Sequence, residues 1–244
     1  MRVVVTGAAG IVGREVVQEL SASHDLYLID REPVAGRAVL QADLCTYPAA
    51  GECPAWTNAF AGTDVVIHLA VDANCHANWQ RALHNNIVMD WNVLWAAAEH
   101  RVRRVAYASS HWAVRLLESE SGSSWVEDGK IGTHVTPRPN TPYGAAKVCG
   151  ETLGRMLVEV GKLSSFLAIR IGAYDPTRPD SEHYRQMGMT GPDIRQLFRR
   201  SVEAEFNGFH VIYGSSNVSG GPFDMSDTCN LLGWAPEGYD RVSR

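Results

Sequence analysis

No C-x-x-C motif occurs in this chain, and its five cysteines (Cys45, Cys53, Cys75, Cys149 and Cys229) are odd in number and widely spaced. That pattern argues against a disulfide framework and a zinc site, so no metal is expected, and it fits a reducing compartment. No apolar run approaches the length of a membrane span, and the three valines before Thr6 are too few for a signal-peptide core. A cytoplasmic protein with no membrane partner is expected. A cationic excess is also missing: the formal net charge is -5 over 244 residues. Neither nucleic acid nor an anionic surface is therefore indicated as a partner. The pair Arg199-Arg200 reads as a solvated helix face. Ser109-Ser110-His111 sets a nucleophile type beside a base type, but no G-x-S-x-G elbow surrounds either serine. A hydrolase is therefore disfavoured.

What is present is an ordinary globular composition, 45% hydrophobic and 20% charged. The length suits one sizeable domain or one domain with a small appendage. Short runs rich in β-branched residues alternate with helical patterns. Strands are expected at Val3–Val5, Leu26–Ile29, Val65–Leu69, Val102–Ala108 and Phe166–Ile171. Helices are expected at Ile11–Leu20, Ile87–Glu99 and Ala145–Val160, and a short one is expected to end at Gly233 before an extended tail. Such alternation predicts an α/β fold with a parallel sheet covered on both faces. The segments 118–140 and 175–193 are rich in Ser, Gly, Pro and charge and read as long loops.

"VVVTGAAGIVG" places Gly7, Gly10 and Gly13 after the first strand and at the opening of a helix. Glycines here permit a tight turn and close approach of a pyrophosphate to backbone N–H groups. The helix N-terminus, with Ile11 its first residue, stabilises the negative charge. Asp30 ends the second strand 17 residues after Gly13. A carboxylate there can accept hydrogen bonds from ribose hydroxyls and would repel a 2′-phosphate, so NAD is favoured over NADP. Arg31 follows directly and weakens that preference. Asp43, before Leu44, could reach an adenine amino group or equally cap a helix.

Tyr143 and Lys147 lie four residues apart, on one face of a helix. Tyrosine is normally a poor base, with a pKa of about 10. A neighbouring ammonium and a positive nicotinamide ring would make its phenolate usable.

With Ser110 before them, these residues resemble the extended short-chain dehydrogenase/reductases of the epimerase/dehydratase type, from "TGAAGIVG" to "LLGWAP". The resemblance rests on the glycine turn, Asp30, Asp43-Leu44, "HLA" (His68, Leu69, Ala70), Asn86, Ser110 and the Y-x-x-x-K of Tyr143 and Lys147. It implies a Rossmann-type doubly wound sheet, with residues 1–171 as the NAD-binding domain and 172–244 as a small substrate-binding region. It further implies an enzyme in which Tyr143 is the acid/base, Lys147 lowers its pKa and holds the nicotinamide ribose, Ser110 polarises the reacting oxygen, and Asn86 supports a proton-relay water. A homodimer through the helices near 85–100 and 143–160 is also implied. More narrowly, "LIDREP", "ASSHWAV", "PRPNTPYGAAKVCGETLGRM", "RIGAYDP" and "HYRQM" are similar to uronate dehydrogenases and the archaeal NAD-dependent glucose-6-phosphate dehydrogenases. Those enzymes oxidise the C1 hydroxyl of a cyclic sugar.

The departures fall on the substrate side. Relatives of this kind read S-S-N-H where this chain has Ser109-Ser110-His111-Trp112, and Arg115 replaces a common glycine. Substrate-binding serines correspond to Ala173 and to a position near Ala73, while Arg185 matches the arginine that pairs with a uronate carboxylate. His111, Trp112 and Arg185 are therefore candidate substrate contacts, and the loss of hydroxyl contacts suggests a changed or less polar small-molecule substrate. Trp112 offers a flat surface for stacking, or a core filling. Three functions stay open: an NAD-dependent sugar dehydrogenase, a nucleotide-sugar epimerase or dehydratase, and a non-catalytic NAD-binding regulator. Only 73 residues follow Ile171, few for a nucleotide-sugar enzyme.

Overall fold

The computed structural model describes residues 1–46, 54–115, 130–178, 186–216 and 221–238. Its described strands form one seven-stranded sheet in the order β3-β2-β1-β4-β5-β6-β7, every pairing parallel. The strands are β1 (Arg2–Thr6), β2 (Asp25–Asp30), β3 (Val39–Gln41), β4 (Val65–His68), β5 (Arg104–Ser110), β6 (Ser165–Ile171) and β7 (Gly208–Gly214). β5 starts and ends two residues later than its apolar run predicts, which carries Ser109 and Ser110 into the strand. The short edge strand β3 and the outer strand β7 were not among the expected strands. β7 comes from the region beyond residue 171 yet extends the same sheet.

Side chains of β1 alternate faces, as a pleated strand requires. Val3 and Val5 join one core with Val16, Val17 and Leu20 of α1 (Ile11–Leu20) and Ile194, Leu197 and Phe198 of α5 (Gly191–Glu203). Val4 joins the other core, with Val93, Leu94 and Ala97 of α3 (Met89–Glu99) and Leu157 of α4 (Pro142–Glu159). Each such fully buried Val or Leu contributes roughly 1.5–3 kcal/mol, which makes this two-sided burial the main source of cohesion. α5 begins inside the segment read as a loop. Thr190 caps it, accepting the Asp193 N–H at 3.3 Å. Arg199 is not simply solvated, because its Nε lies 3.0 Å from Glu19 Oε1 on α1. The last helix, α6 (Ser226–Leu232), ends at Gly233, which takes φ +58° as a left-handed cap must.

The expected helix from Ile87 is longer and irregular. A short α2 (Trp79–Ala82) runs through a π-helical stretch (Leu83–Val88) into α3. That stretch carries Asn86, and such wide turns recur at functional positions. Among the described residues no helix is long and apolar enough to cross a membrane.

Candidate active site

The strand order reverses between β1 and β4, and in doubly wound sheets ligands bind in the crevice at such a point. The glycine turn lies there. Gly7 has φ +73°, and a Cβ on it would stand 2.5 Å from the backbone nitrogen of Ala70. A Cβ on Gly13 would stand 2.2 Å from the Gly7 carbonyl oxygen, so only glycine lets the first turn of α1 pack on the loop. A Cβ on Gly10 would meet only the Gly7 oxygen, at 3.2 Å, beyond its neighbouring backbone. No side chain caps α1, which leaves its N-terminal N–H groups for an anion.

All nine residues expected from the sequence on the adenosine and pyrophosphate side line one cavity of about 590 Å³: Gly7, Gly10, Ile11, Gly13, Asp30, Asp43, Leu44, Leu69 and Ala70. Arg31, Ala73 and Met89 line it too. The Asp30 carboxylate accepts the Ala9 N–H at 2.9 Å and the Glu32 N–H at 3.0 Å, one on each oxygen. It thus ties β2 to the glycine turn, and each oxygen retains a lone pair for a ribose hydroxyl. Asp43 accepts the Cys45 N–H at 3.0 Å, which fixes a turn and holds its carboxyl below the usual range. The open Gly10 face, the uncapped helix and the Asp30 carboxylate fit a dinucleotide.

The structure brings Ser110, Tyr143 and Lys147 together. Thr141 caps α4 by accepting the Gly144 N–H at 3.1 Å, with Pro142 in the first turn. Tyr143 and Lys147 therefore stand one turn apart at the helix start. A Cβ on Gly144 would lie 2.4 Å from the Trp112 carbonyl oxygen, so glycine allows α4 to press against the residues after β5. The side chains of Tyr143 and Ser110 are hydrogen bonded, which favours the phenolate, but burial outweighs that and pushes the phenol up to about 12. Lys147 is buried; its Nζ donates to the Ala108 carbonyl at 2.7 Å and sits 6.0 Å from the Tyr143 ring centre. Burial pulls the Lys147 ammonium below its usual range, against the charge of Asp90.

Asn86 is buried in the π-helical stretch and hydrogen-bonded to the loop after β4. Its Oδ1 accepts the Asp72 N–H at 2.8 Å, and its Nδ2 reaches the Asp72 carbonyl at 3.2 Å and Cys75 Sγ at 3.1 Å. The side chain holds the loop after β4. On the substrate side, His111 is buried 5.7 Å from the Trp112 ring, and both lie in the one-turn 3-10 helix His111–Val114, capped by Ser110. The guanidinium of Arg115 is 5.1 Å from the Trp112 ring centre. Arg185 lies outside the described residues, as do 118–129 of the first long loop and 179–184 of the second.

The sequence reading missed three things. His76 stands 4.7 Å from the Tyr143 ring and 4.3 Å from the Trp112 ring. A buried chain runs under the site: Thr6 Oγ1 contacts His68 Nδ1 at 2.7 Å, His68 Nε2 contacts Asp90 at 3.0 Å, and Tyr107 donates to Asp90 at 2.6 Å. Beside it, Ser109 donates to Glu151 at 2.5 Å, and Arg170 grips both Glu151 oxygens at 2.9 and 2.8 Å. The available signal was a charge or histidine in an otherwise apolar strand or helix, as at His68, Asp90 and Arg170, since a buried ionisable group needs a partner.

A dinucleotide cradle at the sheet's switch point, with a Ser–Tyr–Lys cluster beside it, defines the class: a Rossmann-type NAD-dependent oxidoreductase. The model of the NAD dependent epimerase/dehydratase family matches residues 3–187, and the chain belongs to that family. It is 29% identical to an NAD-dependent glucose-6-phosphate dehydrogenase of Haloferax volcanii, over 96% of this chain and 92% of the relative. It is also 29% identical to an L-arabinose 1-dehydrogenase (NAD(P)(+)) of the same organism, over 96% of both chains. A uronate dehydrogenase mutant from Agrobacterium tumefaciens, solved in complex with NAD, superposes with a TM-score of 0.80 at 26% identity, covering 100% of this chain and 87% of that one.

Proposed function

We propose that the protein oxidises a hydroxyl of a cyclic sugar or sugar acid, at C1, with Tyr143 as general base. The observation that carries this reading is the hydrogen-bonded Ser110–Tyr143 pair with Lys147 one turn on. NAD, when bound, supplies the hydride acceptor. Tyr143 Oη receives the hydroxyl proton while the Ser110 hydroxyl hydrogen-bonds the same oxygen and orients it. Lys147, held by the Ala108 carbonyl, places a positive charge behind the phenol ring. Asn86, which holds the loop carrying His76, supports the proton-relay water. His111, Trp112 and Arg185 are the proposed substrate contacts.

Support for a monosaccharide over a nucleotide sugar comes from the region 172–244. We assign it the substrate-binding role, and among its described residues α5, β7 and α6 belong to the sheet layers rather than to a separate lobe. A homodimer through α3 and α4 is proposed because Trp91, Met156 and Val160 stay exposed there. A cytoplasmic location is proposed on the four described cysteines, all free thiols.

The test offers NAD with aldoses, uronic acids, sugar phosphates and nucleotide sugars and follows reduced nicotinamide. Net NADH with a monosaccharide is expected. A sugar converted without net NADH would replace this reading by epimerisation or dehydration, and tight NAD binding with every sugar inert would replace it by a regulatory role.

A further inference from the structure

His76 has no part in the proton transfer above, yet it stands against the group that performs it. Its ring packs on Tyr143 at 4.7 Å and on Trp112 at 4.3 Å, so it bridges the base and the flat surface beside it. Its Nδ1 is buried and has no hydrogen-bond partner among the described residues. Buried polar atoms are nearly always partnered, so this exception beside the base calls for an explanation.

The loop bearing His76 is held in place. Asp72 accepts two hydrogen bonds from Arg81, at 2.8 and 2.9 Å, and one from Asn85 at 2.8 Å. Asn86 and Cys75 bind the loop's backbone, and the Asn78 N–H donates to the Cys75 carbonyl at 3.1 Å. An imidazole on so braced a loop is preorganised, which is what a selective contact needs.

The chemistry of its partner follows from its charge. Burial, and then the neighbouring His111, hold His76 below the usual histidine range, so the ring is neutral at pH 7. A neutral imidazole offers one donor and one acceptor, which matches a hydroxyl and gives a carboxylate or phosphate no charge to pair with. Trp112 beside it presents a flat apolar face of the kind that covers the C–H face of a sugar ring.

Resting on the dehydrogenase reading, we propose that His76 is a specificity-determining residue that hydrogen-bonds the hydroxyl next to the one being oxidised, and thereby selects a neutral aldose.

The experiment measures kcat/KM with saturating NAD for D-glucose, D-galactose, their 2-deoxy counterparts, D-glucuronate and glucose 6-phosphate. Wild type should favour the full aldoses over the 2-deoxy sugars on the order of 100-fold, since a site built for a hydroxyl rejects its absence. His76→Phe keeps the packing on Tyr143 and Trp112 and should erase that preference by losing activity on the full aldoses alone, with NAD affinity unchanged. His76→Gln restores a donor and an acceptor and should recover most of the preference. Equal loss on both kinds of sugar, or no loss, overturns the proposal and leaves His76 a packing residue. Turnover of glucuronate or glucose 6-phosphate alone also overturns it while the dehydrogenase reading stands. If no sugar is oxidised, that reading fails by itself. The same sugars titrated into the NADH-bound protein then decide, because unmoved His76 imidazole resonances overturn the proposal and aldose-specific shifts uphold it.

Discussion

The two sides of the cleft are built on different principles. The cofactor side is mostly backbone: Gly7, Gly10 and Gly13 act by lacking a side chain, and a single carboxylate, Asp30, ties the turn to β2. The proposed substrate side is mostly rings: Tyr143, His76, Trp112 and His111 form a chain whose neighbouring rings stand 4.3 to 5.7 Å apart. At Gly7 and Gly13 the cradle tolerates little change, because an added Cβ clashes with backbone atoms that cannot move. A wall of side chains can be exchanged one residue at a time while the fold stays. The difference teaches that the reaction class and the substrate are encoded separately, and that relatives inform on the first more than on the second.

The comparison can be broken or sharpened by experiment. Tyr143→Phe should lower kcat by about 10²–10⁴-fold, the usual contribution of a positioned acid/base, while isothermal titration shows NAD affinity within about twofold. A parallel loss of NAD binding would mean that the two sides are not separable. Glu151→Ala breaks the buried pair with Arg170, whose side chains are 6% and 2% exposed. It should cost about 3–5 kcal/mol in urea unfolding, since it strands a buried guanidinium beneath both sides. A change under 1 kcal/mol would show that the floor is not shared.

Gly10→Val fills the cradle without a strained φ. It should weaken NAD binding on the order of 100-fold, about 2.7 kcal/mol, and leave thermal unfolding nearly unchanged. Unaltered NAD affinity would refute the placement of the pyrophosphate.

The smallest effect is on pH dependence. Tyr143 sits near 12 without cofactor, so its phenolate fraction rises about tenfold per pH unit below that value. Sugar oxidation at saturating NAD should therefore keep climbing between pH 7 and 9. A plateau already at pH 7 would show that the charges of Lys147 and bound NAD outweigh burial.

Much of the cofactor side was legible because its signals are local. The glycines lie within seven residues of one another, Asp30 ends the next strand, and Tyr143 and Lys147 share a helix face by spacing alone. β7 and α5 were less legible. "GFHVIYG" alternates only partly, and α5 opens with Gly191-Pro192, which fell in a segment read as a loop although Thr190 and Asp193 form its cap. The partners of Asn86 were not legible, because Asp72 and Cys75 lie on a loop whose path has no periodic signature.

By itself the sequence determined the strand–turn–helix cradle, the acidic residue after its second strand and the shared helix face of Tyr143 and Lys147, because each depends on steric freedom, charge or helical spacing over a few neighbouring residues. Only the tertiary structure decided that His76, 67 residues before Tyr143, would stand against it, and that Asp90, Tyr107, Glu151 and Arg170 would form the floor. Those contacts depend on how strands and helices pack across the sheet, and burial turns each into an obligation to find a partner that no local pattern names.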